Sequence, residues 1–236
     1  IVPELFTTGF NYSNFSELAE YRNESETIKQ LEEISEEYST GIAGSILMKE
    51  SKNSEDKDYL NIGFIIEPTK GLSYTYQKVN LWGEEKKHFK SGAKIPKPIN
   101  FLNKAKVGLL ICYDMRFSEI YLQQVINGVE ILITTAAWPS ARVNHFNLLA
   151  KARALENTTY HIAVNRIGIE KDLIETTYPG SSRVIDPLGK ILVKAKKKEQ
   201  LINTKLTNKN LQEARDKIPV LVDRQKRIKN YEINQI

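Results

Sequence analysis

A short apolar run, Val107-Gly108-Leu109-Leu110-Ile111, ends in the only cysteine of the chain, Cys112, and polarity returns at once with Asp114 and Arg116. Such a run predicts a buried strand that delivers a thiol at its end. Ser118 is placed to cap a helix whose apolar face is Ile120, Leu122, Val125 and Ile126, and Asn127-Gly128 stops it. A second apolar run, from Glu130 to Trp138, follows directly. Strand, sharp turn, helix and strand make a parallel crossover unit, and in such units ligands meet the carboxyl ends of the strands. A free cysteine is usually a small buried hydrophobe, so it is the position of Cys112 at a strand end that marks it as a nucleophile. One cysteine makes neither an internal disulfide nor a cysteine-rich metal site, which points to a reducing, cytoplasmic location.

With 236 residues, 41 % of them hydrophobic, the chain can bury a sizeable core. No linker or repeat divides it, so a single domain over residues 1–236 is expected, with 219–236 as a basic, extended tail. No apolar run approaches the roughly 18 residues of a membrane span, and Ile1-Val2-Pro3 lacks the features of a signal peptide, so no membrane partner is expected. The formal charge of +5 comes from scattered lysines, with small clusters at Lys194 to Lys198 and Asp223 to Lys229; this describes a solvated surface and not a nucleic-acid site.

Ile1 to Phe10 suggests a short strand running into a loop, with Glu4 near its end. Ser25 is positioned to cap an amphipathic helix carrying Ile28, Leu31 and Ile34. Gly41 to Met48, Tyr59 to Glu67 and Leu72 to Val79 follow as strands, the first two joined by the polar loop Ser51 to Asp58, and Lys78 closes the third. A charged, irregular stretch leads from Trp82 to Pro98. Beyond Trp138-Pro139, the stripe Val143, Phe146, Leu149, Ala152 and Leu155 predicts a helix over Ala141 to Asn157. Strands are expected at Tyr160 to Ile167, then, after a loop with Tyr178-Pro179-Gly180, at Ser182 to Ile185, Ile191 to Lys196 and Leu201 to Lys205. Asn208 is set to cap a last helix through Asp216.

Three reactive residue types thus lie at strand ends: Glu4, Lys78 and Cys112. The segments that hold them, Pro3-Glu4-Leu5-Phe6-Thr7-Thr8-Gly9-Phe10, Tyr76-Gln77-Lys78-Val79-Asn80-Leu81 and Cys112-Tyr113-Asp114-Met115-Arg116-Phe117, resemble the successive glutamate, lysine and cysteine motifs of the nitrilase superfamily of carbon-nitrogen hydrolases. Trp138-Pro139-Ser140-Ala141-Arg142, Ala152 to Asn157, Asn165-Arg166-Ile167-Gly168 and Tyr178 to Ser182 resemble its amidase branch, especially the omega-amidases. The resemblance spans nearly the whole chain. It implies an α/β fold, an α-β-β-α sandwich of two mixed sheets covered by helices, paired with a second copy into a homodimer or a larger homo-oligomer. It also implies a Glu-Lys-Cys catalytic set that works without metal or cofactor. The family's strand and helix ahead of the glutamate motif have no counterpart here, so either residues precede Ile1 or the sheet lacks an edge strand.

A thiol with a pKa of about 8.5 needs a base or a nearby cation to act as a nucleophile at neutral pH, and Glu4 and Lys78 supply one of each. In the expected chemistry Glu4 takes the Cys112 proton, the sulfur attacks the carbonyl of a small linear amide, and Lys78 with the backbone N–H of Tyr113 holds the oxyanion. Water activated by Glu4 then hydrolyses the thioester. By resemblance, Glu85 is a second glutamate that orients Lys78, with Glu84 as the alternative one residue away. Arg142, ahead of Arg116, is a candidate to hold a substrate carboxylate, as in monoamides of short dicarboxylic acids. Arg116 could instead simply pair with Asp114. Trp138 suits a pocket wall, Glu156 a tie between helix and backbone, and His88, His145 and His161 have no ligand-like spacing. A nitrile or N-carbamoyl substrate would use the same triad, although Cys112-Tyr113-Asp114 resembles amidases and not nitrilases proper. A catalytically silent dimeric scaffold is the reading from a different class.

Overall fold

The computed structural model describes residues 1–50 and 59–231; the expected polar loop Ser51 to Asp58 lies outside the described residues. A short helix α1 (Phe15–Leu18) precedes strand β1 (Glu20–Tyr21) and helix α2 (Glu26–Glu37). Strands β2 (Ile42–Lys49), β3 (Tyr59–Glu67) and β4 (Gly71–Gln77) follow β1 in a sheet of order β1-β2-β3-β4, parallel at its first pair and antiparallel elsewhere. After helix α3 (Glu85–His88), a second sheet begins with β5 (Ile99–Phe101), β6 (Ala105–Ile111), β7 (Ile131–Ala136) and β8 (Tyr160–Asn165). Helix α4 (Ser118–Ile126) connects β6 to β7, helix α5 (Val143–Leu155) connects β7 to β8, and both pairs are parallel. A separate hairpin, β9 (Ile167–Glu170) with β10 (Thr176–Pro179), interrupts the chain before β11 (Arg183–Ile185) and β12 (Ile191–Lys194) complete the sheet beside β8. Helices α6 (Asn208–Lys217) and α7 (Val220–Tyr231) follow.

Alternation along β3 explains the layering. Leu60, Ile62, Phe64 and Ile66 face one way and pack with Ile28 and Leu31 of α2, while Ile65 faces the other and joins Leu109 and Ile111 of β6. The two sheets meet so closely at Gly63 that an added Cβ would lie 2.5 Å from the Leu109 side chain. On the far side of the second sheet, Ile120, Tyr121 and Val125 of α4 and Phe146, Ala150 and Ala154 of α5 close the core. The order of layers is α-β-β-α, as expected, and both sheets are mixed.

Several local expectations are corrected. Ile1 to Phe10 is no strand: Pro3 has no N–H to give, Leu5 donates to Ser45 Oγ and takes a φ of 45°, and the segment turns beside β2. Phe117, and not Ser118, occupies the cap of α4, with no side-chain cap bond. Thr207, not Asn208, caps α6 by accepting from Asn210 N–H at 3.2 Å. Leu201 to Lys205 forms no strand, and Leu201 is 91 % exposed. The expected extended tail is instead helical over Val220–Tyr231, where Leu221 packs on the main core and Arg224 donates to Asn157 Oδ1 and to the carbonyl of Glu156. On α5 the buried face is Phe146, Ala150, Arg153 and Ala154, so Leu155 of the expected stripe is left exposed.

A buried polar chain ties α4, β7, β8 and α5 together. His161 Nδ1 lies 2.8 Å from the Ala150 carbonyl, which only accepts, so Nδ1 carries the proton and Nε2 accepts from Thr134 Oγ1 at 2.8 Å. Thr134 in turn accepts from the Tyr121 hydroxyl at 2.7 Å. Burial pushes His161 down to about 4, with Arg153 adding to the effect and the Ala150 carbonyl opposing it. The unfolded chain therefore takes up this proton first, near pH 6.5, and the stability contributed by neutral His161 is lost as pH falls from there towards 4. Urea unfolding of the parent and of His161→Gln at pH 7 and pH 4 is expected to show a pH-dependent loss about 3 kcal/mol smaller in the variant.

Candidate active site

Directly after β6, Cys112 takes a φ of 47°, a left-handed conformation that non-glycine residues avoid and that only surrounding structure can hold. It opens the 3-10 turn Cys112–Arg116. Asp114 supplies the restraint. Its Oδ2 accepts from Ile111 N–H at 3.1 Å and from the Tyr76 hydroxyl at 2.8 Å, and its Oδ1 accepts from the Asn80 backbone and side chain at 3.1 and 2.9 Å. One carboxylate thus bolts the cysteine turn to the segment following β4. Arg153 of α5 adds two N–H donors to the Met115 carbonyl, at 3.0 and 2.9 Å, and is itself paired with Glu156 at 2.6 Å.

That bolt matters because Lys78 lies between Tyr76 and Asn80. Its backbone N–H donates to the Asn61 carbonyl at 2.9 Å, which aims the side chain inward between the sheets. The ammonium sits 2.8 Å from Glu4 Oε1 and 2.5 Å from Glu85 Oε1. Glu4 is held further by Asn61 Nδ2 at 2.9 Å and Ala137 N–H at 3.1 Å, and Glu85 by Trp82 N–H at 2.7 Å. All three charged groups are buried, at 0, 1 and 3 % exposure for Glu4, Lys78 and Glu85. Glu84 does not enter the cluster; it pairs with the exposed Lys87 at 2.9 Å.

Burial would lower the Lys78 pKa, but Glu4 and Glu85 outweigh it and hold the ammonium well above its ordinary range. Burial pushes Glu85 up to about 7, Lys78 opposing and Glu4 adding to the rise. Cys112 is half-buried; burial and then Glu4 push its thiol well above the usual value, against the pull of Lys78. The resting sulfur is therefore a neutral thiol, and a nucleophilic role for it would require an adjacent base to take its proton.

Cys112 opens into a cleft of about 510 Å³ whose wall includes Lys78, Glu85, Tyr113 and Trp138. Trp138 is fixed by Asn165, which accepts from its N–H at 2.6 Å and donates to its carbonyl at 3.2 Å. Arg116 lies 4.7 Å over the Trp138 ring and 3.1 Å from His145 Nδ1, so the anticipated pairing with Asp114 is replaced by one with His145. Arg142 lies 4.8 Å over Trp82. Both arginines line the cleft, and neither forms an ion pair with a described carboxylate.

The hairpin β9–β10, which sequence reasoning treated as a loop, forms the opposite wall. Glu170 anchors it, accepting from Phe10 N–H and Arg166 Nη1 at 2.7 Å each and from the Tyr178 hydroxyl at 3.0 Å. It presses on Gly9, whose φ is 64° and where a Cβ would lie 2.1 Å from the Glu170 carboxylate. Asn61 and Glu170 went unnoticed in the sequence, and Asp114 was read only as a partner for Arg116, because each acts through hydrogen bonds between distant segments.

Residues 1–216 match the family model described as carbon-nitrogen hydrolase. The chain belongs to the carbon-nitrogen hydrolase family. As a carbon-nitrogen hydrolase it is similar to a 2-oxoglutaramate amidase of Paenarthrobacter nicotinovorans, with 30 % identity over 95 % of this chain and 77 % of that protein. It is also similar to a Schizosaccharomyces pombe protein named "Probable nitrilase C965.09", 32 % identical over 81 % of this chain and 68 % of the other. Among solved structures, a CN-hydrolase superfamily protein from Xanthomonas campestris with an arsenic adduct in its active site superposes with a TM-score of 0.82 at 27 % identity, covering 94 % of this chain and 82 % of that one. The family hydrolyses carbon-nitrogen bonds, so the chain is an enzyme of that class.

Asp114→Ala strands the Tyr76 hydroxyl, the Ile111 N–H and the Asn80 donors inside the protein. Urea unfolding at pH 7 is expected to show a loss of about 3 kcal/mol or more, and a loss below about 1 kcal/mol would mean that the turn is held by something else.

Proposed function

We propose that this carbon-nitrogen hydrolase is a cysteine-dependent amidase that releases ammonia from monoamides of short dicarboxylic acids. The observation that carries the reading is the buried Lys78 ammonium, clasped by Glu4 and Glu85 beside the half-buried Cys112. Glu4 takes the thiol proton as sulfur bonds to the amide carbon, and the carbonyl oxygen becomes an oxyanion held by the Lys78 ammonium and the Tyr113 N–H. The carbon–nitrogen bond then breaks and the nitrogen leaves as ammonia with the proton from Glu4. A water gives a proton to Glu4 and attacks the thioester; the carbon–sulfur bond breaks, and the acid departs as Cys112 regains its proton. Glu85 keeps the ammonium aimed at the oxyanion.

The acid end of the substrate calls for a cation. Arg116 already donates to His145, whereas Arg142 lies over the Trp82 ring and its guanidinium makes no hydrogen bond to a described residue, so Arg142 is assigned the carboxylate and Arg116 a supporting place. The name of the Paenarthrobacter relative, 2-oxoglutaramate amidase, supports the substrate class. A homodimer completes the reading, with the exposed Leu148 and Leu155 of α5 offering apolar surface for it.

Ammonia release from 2-oxoglutaramate, succinamate, glutamine and aliphatic amides tests the assignment. Turnover of the dicarboxylic monoamides is expected, falling to background in Cys112→Ala. Arg142→Ala is expected to raise KM for these acids roughly 10- to 100-fold while leaving a neutral amide little changed. Turnover that survives loss of the thiol would sink the mechanism, and carbon dioxide released with the ammonia would reassign the substrate to N-carbamoyl compounds.

A further inference from the structure

Tyr12 opens the 3-10 turn Tyr12–Asn14 on the cleft wall, downstream of Glu4. Its ring is held from several sides: it stacks on the His88 imidazole with centroids 4.4 Å apart, and the Phe15 and Phe89 rings lie at 5.1 and 6.5 Å. His88 ends the helix that Glu85 begins, so the ring is fixed to the element that carries Glu85. Aromatic packing of this kind sets where the phenol oxygen points.

The hydroxyl has been left open. Tyr74 donates to the Leu109 carbonyl, Tyr76 to Asp114, Tyr160 to the Thr207 carbonyl and Tyr178 to Glu170, and Tyr121 shares its proton with Thr134. The Tyr12 hydroxyl makes no hydrogen bond to a described residue, although it is close enough to feel the charges of Glu85, Lys78 and Glu4. Burial raises its pKa, with Glu85 adding to the rise, so it stays a neutral phenol with lone pairs to offer. A partly buried phenol oxygen at a reaction centre wants a partner that arrives with the ligand.

A primary amide brings two N–H hydrogens into the site. In the mechanism above the carbonyl oxygen is taken by Lys78 and Tyr113, and Glu4 stands on the side of the leaving nitrogen, which leaves one N–H without an acceptor. We propose that the Tyr12 hydroxyl oxygen accepts that N–H, orienting the leaving nitrogen towards Glu4 and selecting amides over esters. The proposal rests on the amidase reading and deepens it.

Tyr12→Phe tests it, since the ring and its stack on His88 remain. The substrate pair is the amide of the panel turned over fastest, succinamate in the first instance, and the corresponding methyl ester, which has no N–H to give. The expected result is a kcat/KM for the amide that falls roughly five- to tenfold, with the ester changed by less than about twofold and the melting temperature unaltered. An equal loss on amide and ester, or an amide rate within about twofold of the parent, would overturn the role of Tyr12 while leaving Cys112-dependent turnover in place. Absence of any Cys112-dependent amide turnover in the parent would overturn the amidase reading, and this assignment with it.

Discussion

The structure depends on one lysine ammonium buried between two carboxylates. Removing three charges from water costs several kcal/mol per ion, and such clusters seldom improve stability over apolar packing. Lys78, Glu4 and Glu85 are tolerated because every carboxylate oxygen has a donor: Asn61 and Ala137 serve Glu4 beside the ammonium, and Trp82 serves the second oxygen of Glu85. The cluster requires segments far apart in sequence to end at one point. Two face-to-face sheets provide that, since β4 and β6 finish beside each other and the Glu4 turn lies against β2.

Asp114 couples this electrostatic cluster to the cysteine turn. By joining Tyr76, Asn80 and Ile111 it fixes the distance between the lysine segment and the cysteine turn, and it holds Cys112 in a backbone conformation that costs on the order of 1–3 kcal/mol. The strained turn exposes sulfur to the cleft while the residues on either side, Ile111 and Met115, remain buried. Burial and then Glu4 favour the neutral thiol, which in the proposed mechanism becomes a nucleophile as Glu4 accepts its proton.

The sequence made the centre of the fold legible because its signals there are local. The apolar run ending at Cys112 became β6, the Ser25 cap holds α2 by accepting from Ile28 N–H at 3.1 Å, and the crossover to Glu130 is parallel as expected. The resemblance located Glu4, Lys78, Glu85 and Cys112, and the coordinates bring all four together and separate Glu85 from Glu84. Less legible were features that depend on tertiary partners. Glu170 becomes the anchor of a hairpin only because Phe10, Arg166 and Tyr178 converge on it. The tail becomes helix α7 because Leu221 and Arg224 find partners on the core and at the end of α5. Ile1 to Phe10 has the composition of a strand, yet Pro3 and the turn at Leu5 deny it a ladder.

The most direct test of the account is to look for the acyl group on sulfur. Enzyme mixed with excess succinamate, quenched in acid within the first turnovers and mapped by peptide mass, should carry a succinyl group on the peptide containing Cys112, at an occupancy that tracks ammonia release. Ammonia released with no acyl adduct on Cys112 at any time, in an enzyme that keeps its activity as Cys112→Ala, would contradict the claim that the buried Glu4-Lys78-Glu85 cluster exists to make this thiol a nucleophile.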